Sequence, residues 1–72
     1  MRTEQDVLKD FEKLGYKIYN KTNYCILVYT YEENCEIRIW KDEKTYSTIY
    51  RKYITMQEHK LLNELFQIWG WF

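Results

Sequence analysis

Residues 23–50 read NYCILVYTYEENCEIRIWKDEKTYSTIY, and the way this stretch divides decides the fold. β-Branched and aromatic residues dominate it, and polar triplets interrupt it twice, EEN at 32–34 and DEK at 42–44. Each triplet has the length of a short hairpin connection, and the runs between them alternate with the period of two that marks half-buried strands. The stretch predicts an antiparallel meander of three strands, roughly 23–31, 35–41 and 45–51. Pairing Tyr31 with Cys35 and Lys41 with Thr45 gathers Cys25, Leu27, Tyr29, Ile37, Ile39 and Ile49 on one face. The opposite face then holds Tyr24, Ile26, Val28, Arg38, Trp40, Tyr46, Thr48 and Tyr50. This register keeps Glu36 and Arg38 away from the aliphatic residues. A one-residue slip in the first hairpin would exchange the faces of the first strand.

Outward from the strands, both flanks change to helical period. Val7, Leu8, Phe11 and Leu14 share one face of a first helix; Leu61, Leu62, Leu65, Phe66, Ile68 and Trp69 share one face of a second. Thr3 stands at the N-cap of the first helix, with Glu4 and Asp6 in the turn where the helix dipole favours anions. Thr55 and Glu58 have the spacing of a capping box for the second. The two glycines of the chain lie in matching phrases, FEKLGY at 11–16 and FQIWGW at 66–71. A glycine just past a helix end adopts a left-handed conformation at no steric cost, and the residue after it packs back onto the last turns. Tyr16 should therefore touch Phe11, and Trp71 should touch Phe66. Phe72 is left without a role in this clasp, and a tail that binds a partner is the alternative.

The resulting fold class is α+β, α-β-β-β-α, a single domain over residues 1–72 with both helices packed on one sheet face. The other face would stay open and aromatic, unless one helix crosses to it. Trp, Tyr and Arg dominate interface hot spots, and exposed apolar patches mark interaction surfaces. The candidate binding residues are Tyr24, Ile26, Arg38, Trp40, Tyr46 and Tyr50.

Composition narrows the functions. The chain has 72 residues, 46% hydrophobic and 19% aromatic, so large rings supply a core that few aliphatics could fill alone. Eleven basic and eleven acidic residues cancel, which argues against a general nucleic-acid binder, whose affinity comes from neutralising phosphates. The order of elements matches double-stranded-RNA-binding domains, but the second helix opens on TMQEHKLL rather than on a basic cluster. Catalysis has little to work with. His59 is the single histidine and lies among amides. Cys25 and Cys35 lack the close pairing of a zinc site and read as buried free thiols. The glycines are spent on caps, so no phosphate loop remains. No metal, cofactor or catalytic residue is implied, and an enzyme is not expected. No signal peptide or membrane span is visible, which points to the cytoplasm.

LKDFEKLGYKIYN at 8–20, the strands, and ITMQEHKLLNELFQIWGW at 54–71 together resemble a group of small uncharacterised phage and prophage proteins of low-GC Gram-positive bacteria. The shared features are the Leu-Gly-aromatic helix end, the Lys/Asp-rich hairpin, the Ile-Thr-Met helix start and the Gly-Trp ending. The scarcity of Ala, Gly and Pro suits an AT-rich genome. The resemblance implies no chemistry; it implies a setting in the host cell, where accessory phage proteins of this size bind host proteins, including defence effectors. The expectation is a non-enzymatic module that binds a host protein, or a second copy of itself as a dimer, through its aromatic sheet face. The alternative is a single-strand or RNA binder stacking bases on the same rings.

Overall fold

The computed structural model describes residues 2–49 and 53–72. Helix α1 spans Glu4–Lys13 and helix α2 spans Met56–Ile68. Both start on a full capping box. Thr55 accepts from the Glu58 amide at 3.2 Å, and the Glu58 carboxylate accepts from the Thr55 amide at 2.8 Å. Thr3 does the same with Asp6, at 3.2 and 3.0 Å. An aspartate thus completes a box that usually takes glutamate or glutamine.

Both helices end as the glycines foretell. Gly15 has φ +102° and Gly70 has φ +78°. Tyr16 meets the edge of Phe11 with ring centroids 5.4 Å apart, and Trp71 stacks flat on Phe66 at 4.2 Å. The Trp71 amide donates to the Phe66 carbonyl at 2.8 Å, which closes the terminal turn of α2. At Gly15 the Tyr31 ring covers the backbone so closely that a Cβ would lie 2.3 Å from its edge.

The sheet has four strands among the described residues, not three: β1 Tyr16–Asn20, β2 Tyr24–Tyr29, β3 Cys35–Trp40 and β4 Thr45–Ile49. They form an antiparallel meander in the order β1-β2-β3-β4. The added strand β1 begins directly after Gly15, whose carbonyl accepts from both the Thr30 amide (2.8 Å) and the Thr30 hydroxyl (2.6 Å). The helix stop therefore hands the chain straight into the ladder with β2.

The register differs from expectation in both hairpins, with different consequences. Cys35 pairs with Tyr29 rather than Tyr31, a slip of two that leaves every side chain on its expected face. Thr45 pairs with Trp40 rather than Lys41, a slip of one that turns β4 over. Tyr46 and Thr48 consequently share a face with Ile37 and Ile39, while Ile49 moves to the opposite face beside Glu36. The cause lies in the four-residue connection Lys41–Lys44. Lys44 adopts φ +56°, and the Lys41 ammonium donates to Asn20 Oδ1 and the Lys21 carbonyl, both at 2.7 Å, while its amide donates to the Asn23 carbonyl at 2.9 Å.

Inside, Cys25, Leu27, Ile37 and Ile39 are fully or almost fully buried with Val7, Leu8 and Phe11 of α1 and Leu61, Leu62, Leu65 and Phe66 of α2. The α2 stripe is narrower than its sequence suggests, since Ile68 is exposed and Trp69 half-buried. One charged group enters this core. Glu58 is buried, and its carboxylate accepts from the Tyr16 hydroxyl as well as from the Thr55 amide that it caps. A hydrogen-bonded carboxylate of this kind joins the start of α2 to the start of β1, which are far apart in sequence.

Candidate functional site

The face turned away from the helices is built by alternation. Lys17 and Tyr19 of β1, Tyr24, Ile26 and Val28 of β2, Glu36, Arg38 and Trp40 of β3, and Ser47 and Ile49 of β4 all project from it. None of them belongs to the hydrophobic core cluster. The larger rings of the face remain accessible: Trp40 is 41% exposed and Tyr19 42%.

Four of the six candidate residues come together here. Tyr24 sits directly across from Trp40, with ring centroids 5.9 Å apart and tilted by 55°. Ile26 sits directly across from Arg38. Arg38 does not stack on a ring; its Nε donates to Glu36 Oε1 at 3.0 Å on the same face. That pair neutralises the middle of the surface; among the described residues of this face Lys17 is a further cation, its ammonium 5.5 Å from the Tyr19 ring centroid.

The other two candidates are not on this surface as expected. Tyr46 is carried to the helix side by the slip of β4, where its ring lies 5.3 Å from Phe66. Tyr50 lies outside the described residues. Tyr19 and Ile49 take part instead. Tyr19 was hidden with its whole strand, although the alternation Tyr16, Ile18 against Lys17, Tyr19 was there to be read.

A polar knot closes one end of the opposite side. Glu4 Oε1 accepts from Trp69 Nε1 at 2.9 Å and from Asn20 Nδ2 at 3.0 Å, with the Lys41 ammonium 3.7 Å away. Lys41 also lies 4.8 Å from the Trp69 ring centroid. Burial pushes the Glu4 carboxyl up, but the two hydrogen bonds and the charge of Lys41 outweigh it and hold it below the usual glutamate range. These groups tie two turns and both helices together, which is an architectural task.

The two thiols are placed for packing, whereas His59 is exposed. Cys25 and Cys35 are buried thiols. Burial pushes the Cys25 thiol up to about 11, so at neutral pH it is protonated and a poor nucleophile. Cys35 donates to the Glu32 carboxylate at 3.2 Å. Among the described residues no three His, Cys, Asp or Glu side chains gather in a metal-binding group. No helix among them is long and apolar enough to cross a membrane. Comparison with known protein families, curated proteins and solved structures finds no match to this chain.

Proposed function

We propose that this chain is a non-enzymatic protein-binding module that acts through the outer face of its sheet, with Trp40, Tyr24, Ile26, Arg38 and Tyr19 as the contact residues. The observation that carries this reading is the pairing of Tyr24 with Trp40 on a face that contributes nothing to the core. Flat rings held by a rigid sheet offer contact area at low side-chain entropy cost, and interface hot spots favour these residue types. In the setting suggested by the resemblance to phage and prophage proteins, the partner is a host protein in the cytoplasm, and a concrete version is an inhibitor that occludes a defence effector. Self-association into a dimer would use the same face.

The test is capture of partners from a low-GC Gram-positive lysate by wild-type protein and by Trp40→Ala, with half of each sample treated with nuclease. A stoichiometric protein retained by wild type, lost with Trp40→Ala and indifferent to nuclease is the expected result. Base stacking on the same rings is the competing reading. It predicts retention only without nuclease, and a steep fall in binding as salt rises. The Arg38–Glu36 pair weighs against it, because it leaves little positive charge at the centre of the face for phosphates.

A further inference from the structure

A second surface lies on the other side of the sheet, where β4 and α2 do not close against each other. Between them runs a groove of about 710 Å³. Leu62, Phe66 and Trp71 line it as half-buried or buried surface, while Tyr46, Met56 and Phe72 stand exposed along it. The groove exists because β4 is turned over. Tyr46 and Thr48 face the helix side, yet no residue of β4 from Thr45 to Thr48 is buried.

Two features say what would fit. The first is the edge. Among the described residues β4 is the last strand of the sheet and pairs with β3 alone, and its sequence TYSTI carries no charge and no proline. Edge strands are ordinarily blunted by such residues, because an open edge is a template for another strand. At the opposite edge β1 carries Lys17. The second is charge. Lys44 and Lys60 line the groove, and none of its described lining residues is acidic, although the chain holds eleven Asp and Glu. An open strand edge beside an apolar groove is the geometry of strand addition, in which backbone hydrogen bonds give affinity and alternate side chains fill the groove.

We propose that the β4 edge takes an extended, acidic segment of a partner protein as a fifth strand. On the side of the added strand that faces the groove, a central apolar side chain enters at Tyr46, Phe66 and Trp71, and carboxylates two positions before and after it face Lys44 and Lys60. A second copy of this chain fits less well, because it would bring another Lys44 and Lys60 to the same seam. Single-stranded nucleic acid also fits less well. Phe66 and Trp71 are stacked on one another and Tyr46 lies against Phe66, so these faces are already occupied. The surface is distinct from the outer sheet face, and the two proposals stand or fall separately.

The probe is a fluorescein-labelled peptide as long as β4, Asp-Thr-Val-Thr-Asp, which sets valine and both aspartates on one side of the strand, titrated with the protein and followed by anisotropy. Its counterpart with lysine in place of aspartate should bind at least about tenfold more weakly. Reversing both cations, Lys44→Glu with Lys60→Glu, should weaken the acidic peptide by about tenfold and strengthen the basic one, with far-UV circular dichroism unchanged. N-methylation of alternate peptide amides should abolish binding, and the acidic peptide should shift the amide resonances of Thr45–Ile49 while leaving Ile26 and Trp40 in place. The proposal is overturned by any of four results: no binding of the acidic peptide, equal binding of the basic one, indifference to N-methylation, or shifts confined to other strands. A protein that sediments as a dimer through β4 would assign the edge to a second copy instead. An oligothymidine probe that displaces the peptide would assign it to nucleic acid, and either outcome overturns the proposal.

Discussion

Ile39 and Trp40 are neighbours in the chain and opposite in environment: Ile39 is completely buried against the helices, while Trp40 keeps 41% of its surface on the open face. The contrast runs along the whole of β3. Cys35, Ile37 and Ile39 are buried, whereas Glu36, Arg38 and Trp40 lie outside the core cluster. What it teaches is a division of labour at single-residue spacing. One side of the sheet sets the stability, which leaves the other side free to carry large rings that the fold does not require.

The comparison is broken most severely from the inside. Ile39→Ala should cost about 2–5 kcal/mol, read as a lower urea midpoint at unchanged slope, because the site is enclosed by sheet and both helices. A smaller test concerns β4, where the inner face is not sealed. Tyr46 and Phe66 should show a coupling of about 0.5–1.5 kcal/mol in a double-mutant cycle of Tyr46→Ala and Phe66→Leu. A Tyr46 on the outer face would show none. Trp40→Ala should cost about 1 kcal/mol or less, with far-UV circular dichroism unchanged, since it removes the contact with Tyr24 and a partly exposed surface outside the core cluster. Unfolding on this substitution would place Trp40 in the core and remove the basis for the proposed binding face.

The smallest effect concerns the polar end of the inner side. Glu4 holds its proton less tightly in the folded protein than in the unfolded chain. As pH falls, the unfolded chain takes up this proton first. The contribution of Glu4 is therefore present above the ordinary glutamate range and is lost as pH drops through the depressed folded value. Glu4→Gln should flatten the acid limb of the stability curve, measured as urea midpoints between neutral pH and pH about 3. An acid limb identical to that of the wild type would mean that the knot with Asn20, Lys41 and Trp69 does not form in solution.

Much of this architecture is legible in the residues. Capping chemistry is local, so Thr3, Thr55, Gly15 and Gly70 declare the helix ends, and even the aromatic clasps onto Phe11 and Phe66 follow from it. Faces within a strand are also local, which is why Tyr24, Ile26, Arg38 and Trp40 could be grouped without knowing their partners. Register is not local. The first hairpin tolerated an error of two residues because side chains repeat with period two. The second did not tolerate an error of one, and it was decided by Lys44, a non-glycine residue in the left-handed region, and by Lys41 reaching for Asn20. Neither preference is written in the turn residues themselves. Strand β1 escaped notice because YKIYN has a single aliphatic residue, and its place depends on the Gly15 carbonyl meeting Thr30.

The hydrogen bond from Trp69 to Glu4 spans 65 positions of the chain. Every strand pairing, by contrast, joins neighbours through a short connection. The order of folding follows from this difference. Each hairpin closes a small loop, whereas the helices meet only after nearly the entire chain has been drawn together, and that closure must be supported by contacts already made. The sheet is thus the template and the helix pair the final latch. Amide protons in α1 and α2 should accordingly exchange as one cooperative unit, since releasing either helix strips the same apolar surface from the other.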